Sequence, residues 1–261
     1  MDNFLKIGHS YSIGDLISAL PGFQKIYREF GTKVIVYQRL NFPNERRHVA
    51  KDRDGDSVCM DHAIFNLLRP LLIAQEYICD FIVWEGQPVD WNFDTVRDSV
   101  SIPIPNSDIH WWNMFIFPDL QCDLSIPWLK IEPSELSKGK IVINITNRYR
   151  NAYIDYYFLE KHVDRTIFVG TTDEYQEFKT RWGLNISYYQ CDNFCDLASF
   201  IAGCDLFIGV QSACWHMAEA MGIKRILEVC AEFPNTIPKT NNGYAYLHQK
   251  TLEILFNKLI A

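Results

Sequence analysis

The chain has 261 residues, of which 48% are hydrophobic, 14% aromatic and 22% charged, and its formal net charge is −7. This composition is typical of a folded protein with one large domain or two small ones, and it excludes a disordered chain. The acidic balance argues against a dedicated nucleic-acid-binding protein. The eight cysteines include no CxxC pair, which favours free thiols over a disulfide scaffold or a zinc site.

The N-terminal residues predict a βαβ unit. Phe4 to Ile7 form a short apolar strand, and the loop Gly8–Asp15 follows. From Leu16 onwards apolar residues recur at helical spacing until Gly31, a typical helix stop. Val34 to Tyr37 then form a second buried strand, so the pattern predicts a parallel sheet.

The middle of the chain is less regular. Residues 39–57 are polar and mix arginines with aspartates, which is typical of a surface excursion. A helix is expected from His62 to Gln75. Aromatic-rich strands or loops are expected over 81–84, 100–104 and 110–117.

A polar stretch with Pro and Gly, residues 131–139, separates two apolar blocks as a linker does. It predicts an N-terminal Rossmann-like domain over 1–135 and a C-terminal one over 136–261. In the second domain, five strands alternate with four helices: strands 140–145, 166–169, 186–189, 206–210 and 225–229, with helices 155–162, 172–182, 196–202 and 214–221. A tail helix is expected over about 249–259.

The segment Asp205–Gly222 points to anion binding. An apolar strand runs through Gln211-Ser212 into a helix whose first backbone N–H groups have no partner within the helix. These groups and the helix dipole would suit a phosphate. In the alternative interpretation Ser212 is simply the N-cap of an ordinary crossover helix.

Two motifs resemble a known family. Ile13-Gly-Asp-Leu-Ile-Ser-Ala-Leu-Pro21 resembles the N-terminal signature of glycosyltransferase family 9, the heptosyltransferase-like enzymes, and Leu197–Gly222 resembles the C-terminal signature of that family. The resemblance implies a GT-B fold, an α/β architecture of two Rossmann-like domains whose parallel sheets face each other across a cleft. It also implies an inverting, metal-independent glycosyltransferase that uses a nucleotide-sugar as substrate and needs no cofactor.

The chain departs from the family pattern at two positions. Gln211 stands where the family usually has an acidic residue, and Ala213 stands where it usually has Gly. The chain is also shorter than a typical member, and residues 39–130 match no part of the pattern. Heptose specificity is therefore not implied.

The resemblance assigns roles to residues in both domains. Asp15 is the expected catalytic base, which takes the proton of the acceptor hydroxyl, and in the alternative interpretation it is a helix N-cap. The expected donor-binding residues are Arg148, Arg150, Thr171, Thr172, Glu174, Gln211, Ser212, Ala213 and His216. Thr171 to Glu174 also fit a plain helix start, and no residue is expected to bind a metal.

The expected acceptor-binding residues are His9, Arg39, Arg46 and Arg47. The basic run would suit a phosphorylated saccharide, a lipid-linked glycan or, as a weaker alternative, nucleic acid. The N-terminus has no signal-peptide pattern and no apolar run reaches the length of a transmembrane segment. The expected location is therefore the cytoplasm, including the inner membrane surface.

Two further functions stay open at this point. A sugar-nucleotide epimerase or hydrolase could use the same fold, because fold alone does not fix chemistry. A non-catalytic nucleotide-sugar-binding protein is the other alternative. The Gln211 departure keeps it open, whereas Asp15 argues against it, because a pure binding protein needs no base.

Overall fold

A computed structural model describes residues 4–44, 54–98 and 108–260. These residues form two compact units. The first takes the described residues up to Asp123 except Asp108, together with Asn193–Cys195, and the second takes Asp108, Leu124–Asp192 and the chain from Asp196 onwards.

The first unit is a four-stranded parallel sheet with helices. The strand order is β3-β2-β1-β4, so the topology reverses direction between β1 and β4. The predicted βαβ unit is present, and Gly31 ends its helix with φ 67° and an N–H bond to the carbonyl of Tyr27. The elements are β1 (Phe4–His9), α1 (Ile13–Phe30), β2 (Lys33–Gln38), α2 (His62–Ile73), β3 (Ile78–Val83), β4 (Trp91–Asn92), α3 (Thr95–Asp98) and α4 (Ile109–Ile116).

One prediction for this unit was wrong. Residues 110–117 were expected to be a strand or a loop, but residues 110–116 belong to helix α4, which packs against α1. Trp112 and Met114 are buried there, so tertiary packing outweighs the strand preference of the aromatic residues. The predicted segment 100–104 lies outside the described residues.

The second unit is a six-stranded parallel sheet in the order β10-β9-β8-β5-β6-β7. Counted from β5, this is the 3-2-1-4-5-6 order of Rossmann folds, with its reversal between β5 and β8. All five predicted strands are present, while the edge strand β10 was missed. The elements are β5 (Ile141–Asn144), β6 (Thr166–Phe168), α5 (Thr172–Trp182), β7 (Ser187–Tyr188), α6 (Phe194–Ala202), β8 (Leu206–Gly209), α7 (Ala213–Met221), β9 (Arg225–Glu228), β10 (Gly243–Tyr246) and α8 (Gln249–Ile260).

Two further details differ from the expectation. The helix expected over 155–162 is a 3₁₀ helix, Tyr157–Arg165. The chain enters the second unit at Leu124, ahead of the boundary expected at residue 135. The cause is pairing within the second unit: the N–H groups of Trp128 and Leu129 bond to the carbonyl of Ala220, and that of Ser134 bonds to Ser199.

None of the helices in the described part of the chain is long and apolar enough to cross a membrane.

A buried ion pair braces the second unit. Arg225, the first residue of β9, and Glu219 on α7 are both fully buried, and Arg225 Nε donates to Glu219 Oε2 at 2.7 Å. The other carboxylate oxygen of Glu219 accepts from the N–H groups of Lys239 and Thr240, at 2.8 and 2.7 Å. The pair therefore ties α7 and β9 to the segment that leads into β10.

We predict that Glu219→Gln strongly destabilises the fold. The substitution leaves the Arg225 guanidinium buried without its counter-charge, which costs about 3–5 kcal/mol of unfolding free energy. Urea denaturation measures this loss. Glu135→Gln, which breaks the exposed Glu135–Lys138 pair, is the matched control and should unfold like the parent. Equal stability of both variants would contradict the bracing role.

Candidate functional site

The second unit places its site residues where the sheet order reverses. Asn144 ends β5, and its buried amide joins the ends of three strands. Its Nδ2 donates to the carbonyl of Val169 after β6 at 2.8 Å, and its Oδ1 accepts from Ser212 Oγ, which follows β8, at 2.6 Å. Ligands of open α/β sheets bind at such a reversal. Asn144 was missed in the sequence, where a polar residue ending the apolar run Ile141–Asn144 was the available signal.

Helix α7 begins at this point. Ser212 is its N-cap, because Ser212 Oγ accepts from the N–H of Trp215 at 3.3 Å. The N–H of His216 bonds to the Ser212 carbonyl at 3.0 Å, whereas the amides of Ala213 and Cys214, at the first turn, have no partner within the helix. The capping interpretation of Ser212 is confirmed, and the helix start still offers two N–H groups to an anion. The His216 side chain is buried.

The start of α5 lies beside Asn144. Thr171 and Glu174 form a capping box, in which Thr171 Oγ1 accepts from the Glu174 N–H at 3.2 Å and Glu174 Oε2 accepts from the Thr171 N–H at 2.9 Å. The helix-start interpretation of these residues is therefore confirmed. Thr172, the first residue of the helix, is exposed.

Gly170 shows how closely these groups approach. Its φ of 136° is one that other residues rarely adopt, and a Cβ there would lie 2.6 Å from Glu174 Oε2 and 2.7 Å from Asn144 Nδ2. Burial raises the pKa of Glu174, and hydrogen bonds from Thr171 and the charge of Arg148 partly offset this rise. Arg148 thus acts electrostatically on the same corner of the unit.

The two arginines after β5 have different surroundings. Arg150 is mostly buried, its Nε donates to Glu228 Oε1 at 2.9 Å, and its guanidinium lies 5.0 Å from the ring centre of Trp182. This ion pair gives Arg150 a structural role, because Glu228 is fully buried and needs a counter-charge, and the expected phosphate contact of Arg150 stays a prediction. Arg148 is half-buried, and its guanidinium lies 5.1 Å from the ring centre of Tyr149.

Gln211 holds the loop that follows β9. Its Nε2 donates to the carbonyl of Phe233 at 3.0 Å and to Asn235 Oδ1 at 2.6 Å, and its Oε1 accepts from the Cys230 N–H at 3.3 Å. The two backbone partners, one acceptor and one donor, fix the orientation of this amide. A carboxylate could not donate to Phe233, which gives a physical reason for Gln at a position where the resembled family has an acid.

The first unit places Asp15 in the first turn of α1, not in the loop where it was expected, and Ser12 occupies the N-cap position. Asp15 is therefore not the N-cap of the alternative interpretation. Ser12 Oγ donates to its Oδ2 at 2.6 Å, and Arg97 Nε donates to its Oδ1 at 2.9 Å. Burial alone would raise the pKa of Asp15, but the Arg97 charge and these hydrogen bonds outweigh burial and hold the pKa below its ordinary value. Arg97 was missed in the sequence, where no local motif marks it.

The expected acceptor residues lie near the same strand ends. His9 is buried, and its Nδ1 lies 2.8 Å from Gln38 Oε1. Burial lowers the pKa of His9, so the ring is neutral near pH 7. Arg39 is exposed, and its N–H bonds to the His9 carbonyl. Arg46 and Arg47 lie outside the described residues.

Solved structures share this fold. A glycosyl transferase of family 9 from Veillonella parvula has a TM-score of 0.63 and 12% identity, over 99% of this chain and 90% of that one. The E. coli heptosyltransferase WaaC, solved with ADP, has a TM-score of 0.64 and 9% identity over 98% and 99% of the two chains. E. coli ADP-heptose LPS heptosyltransferase II has a TM-score of 0.62 and 12% identity over 99% and 98%.

No protein-family model and no curated protein sequence matches the chain. The likeness is one of three-dimensional structure, and it confirms the predicted fold: two parallel α/β sheets of the GT-B heptosyltransferase type. The resemblance seen in the two sequence motifs is thus matched by neighbours that cover nearly the whole chain.

We predict that Gln211→Glu destabilises the protein by about 1–3 kcal/mol, because the Phe233 carbonyl loses its donor and faces a carboxylate oxygen. The deficit should shrink in acid, where a protonated Glu can donate again. Thermal unfolding at pH 5 and pH 8 measures both effects. Gln190→Glu, the same change at an exposed residue, is the control. A Gln211→Glu protein as stable as the parent at pH 8 would show that the loop does not need the amide.

Proposed function

We propose that the protein transfers a sugar from a nucleotide-sugar donor to an acceptor hydroxyl, with inversion at the anomeric carbon and without a required metal ion. The observation that supports this most is the corner of the second unit around Asn144. There a helix start whose first two N–H groups have no partner within the helix lies at the reversal of the sheet, with Arg148 and Glu174 nearby. Such a corner suits a phosphate group.

In this proposal the donor diphosphate lies at the start of α7. The amides of Ala213 and Cys214 donate to it, and the Arg148 guanidinium supplies a full positive charge. WaaC has been solved with ADP and with ADP-2-deoxy-2-fluoro heptose, which supports a nucleoside diphosphate as the ligand here. Thr171, Thr172, Glu174 and His216 are proposed to contact donor hydroxyl or phosphate groups.

The same groups would serve the chemistry. As the bond from the anomeric carbon to the diphosphate breaks, negative charge collects on the leaving oxygen. Fixed N–H donors, the helix dipole and a guanidinium stabilise that charge without rearranging. This is why we propose that no metal ion is needed.

In the first unit we propose Asp15 as the base that takes the acceptor proton. Arg39, exposed after β2, would meet an acceptor that carries negative charge, such as a phosphorylated or lipid-linked saccharide. One observation favours a second function: the pairing of Asp15 with Arg97 weakens the carboxylate as a base, as would be tolerated in a nucleotide-sugar-binding protein without turnover.

We predict that ADP binds with EDTA present, and that Arg148→Ala weakens this binding about 5- to 150-fold, the equivalent of losing one charge-assisted contact. Isothermal titration calorimetry measures both affinities. Arg181→Ala removes an exposed arginine on α5 and should bind ADP as the parent does. Binding that requires Mg²⁺ would contradict metal independence, and unchanged affinity in Arg148→Ala would misplace the diphosphate.

We predict that Asp15→Asn lowers turnover about 10²- to 10⁴-fold, the usual contribution of a general base, while ADP affinity stays the same. The melting temperature should fall modestly, since the variant weakens the bond to Arg97. Transfer from ADP-sugars to a panel of phosphorylated saccharides gives the rate. Asp61→Asn, which keeps a capping side chain at the start of α2, is the control and should keep full turnover.

These measurements distinguish the transferase function from the binding function. A folded Asp15→Asn variant that transfers sugar at the parental rate would remove Asp15 from the mechanism. A parent protein that binds ADP-sugars tightly but transfers sugar to no acceptor would favour the binding function.

A further inference from the structure

The contacts of Asp15 leave one position open on its carboxylate. A carboxylate oxygen can accept about two hydrogen bonds. Oδ1 accepts two hydrogen bonds from Arg97, one from Nε at 2.9 Å and one from Nη2. Oδ2 takes one, from Ser12 Oγ at 2.6 Å. Among the contacts of the described residues, the remaining lone pair of Oδ2 is thus the place where an acceptor hydroxyl could donate.

The Arg97 guanidinium lies near two aromatic rings. It lies 4.6 Å from the ring centre of Trp112 on α4 and 5.6 Å from that of Tyr11. A guanidinium can stack on such rings while its edge forks onto a carboxylate, which a lysine ammonium cannot do.

The backbone around Arg97 is anchored to β1. The N–H of Arg97 bonds to the carbonyl of Asp94 at 3.0 Å, and the Asp94 carboxylate accepts from Ser10 Oγ at 2.6 Å. Ser10 follows β1 directly, and Asp94 follows β4, so the arginine is positioned from the point where the order of this sheet reverses.

The other titratable groups nearby do not replace Arg97. His9 on β1 favours the ionised form of Asp15 only when charged, and burial keeps its pKa low. The Asp94 carboxyl group acts to raise the pKa of His9, and helix α4, which packs against α1, contributes the buried His110. Among the described residues that shift the pKa of Asp15, Arg97 is therefore the permanent cation.

We infer that Arg97 is a positioning residue that fixes the Asp15 carboxylate and presents Oδ2 to the acceptor hydroxyl. This role rests on the proposed function. As the acceptor oxygen bonds to the anomeric carbon, its proton passes to Asp15 Oδ2. The electron pair of the broken sugar–phosphate bond leaves with the diphosphate, so atoms and charge balance. The Arg97 charge makes Asp15 a weaker base, because it lowers the pKa of Asp15. The same pairing keeps the carboxylate ionised and oriented at physiological pH.

The test compares Arg97→Gln and Arg97→Lys in the full chain. Asp15 is titrated by NMR of ¹³C-labelled aspartate carboxyl groups, assigned with Asp15→Asn, and kcat/KM is measured from pH 3 to 8. In Arg97→Gln the pKa of Asp15 and the midpoint of the acid limb of kcat/KM should both rise by about one pH unit or more. The reason is that the Arg97 charge no longer offsets the effect of burial, which raises this pKa. Arg97→Lys should keep the limb near its parental pH while kcat falls, since a point charge does not hold the fork.

Arg69→Gln is the matched control, because it breaks another arginine–aspartate pair of the first unit, Arg69–Asp80. It should leave the Asp15 titration and the acid limb unchanged. An Asp15 titration that does not move in Arg97→Gln overturns the inference. The inference is also overturned if the pKa of Asp15 changes while the acid limb of kcat/KM stays where it is, because Asp15 is then not the group whose ionisation limits transfer.

The NMR titration also separates this inference from the proposed function. If the parent protein transfers no sugar although Arg97→Gln moves the Asp15 titration, the proposed function has failed while the electrostatic pairing stands. The positioning role is then overturned together with the transfer reaction.

Discussion

The carboxamide of Asn144 lies where the ends of β5, β6 and β8 meet, and the arrangement of the second unit depends on it. Its two polar atoms bond to the Val169 carbonyl and to the Ser212 hydroxyl. Through Ser212 the amide fixes the start of α7, and through Val169 it fixes the strand end that leads to Gly170 and α5. A buried amide with both ends satisfied constrains position strongly, because each unmade bond would leave a polar group without water.

Buried acids set the frame around this corner. Glu219 and Glu228 are fully buried, and each accepts hydrogen bonds from backbone as well as from an arginine. Glu228 takes Arg150, Asn151 and Tyr156 at once. Because Glu228 needs a counter-charge, Arg150 and Arg148 differ although they are only two residues apart. Arg150 pairs with the buried Glu228 carboxylate, whereas Arg148 stays half-buried.

Each unit presents its polar groups where its own sheet reverses direction. In the second unit the groups include the backbone N–H groups at the start of α7, the Arg148 guanidinium and the Glu174 carboxyl group, and the N–H groups and the guanidinium suit an anion. In the first unit they are a carboxylate, a neutral imidazole and an arginine, which suit the handling of a proton. The contrast follows from the surroundings: helix α7 begins without an acidic residue in its first turn, while α1 begins with Asp15.

The sequence by itself determined much of the second unit. Helix α5 was predicted at its observed bounds, and the strands before and after α7 were found because short apolar runs and capping residues are local signals. The motif around Ser212 likewise predicted an N-cap followed by a helix, and the fold type followed from the alternation of strands and helices together with the two family-like motifs.

Only the tertiary structure decided the partners of the polar side chains. Arg97 is separated from Asp15 by 82 positions and Glu228 from Arg150 by 78, and no local pattern encodes such pairs. The same holds for helix α4, whose aromatic residues favour a strand until packing against α1 buries one face. Local propensity and spacing are properties of neighbouring residues, whereas the pKa of Asp15 and the contacts of Arg150 and Gln211 depend on which distant groups the folded chain brings within hydrogen-bonding distance.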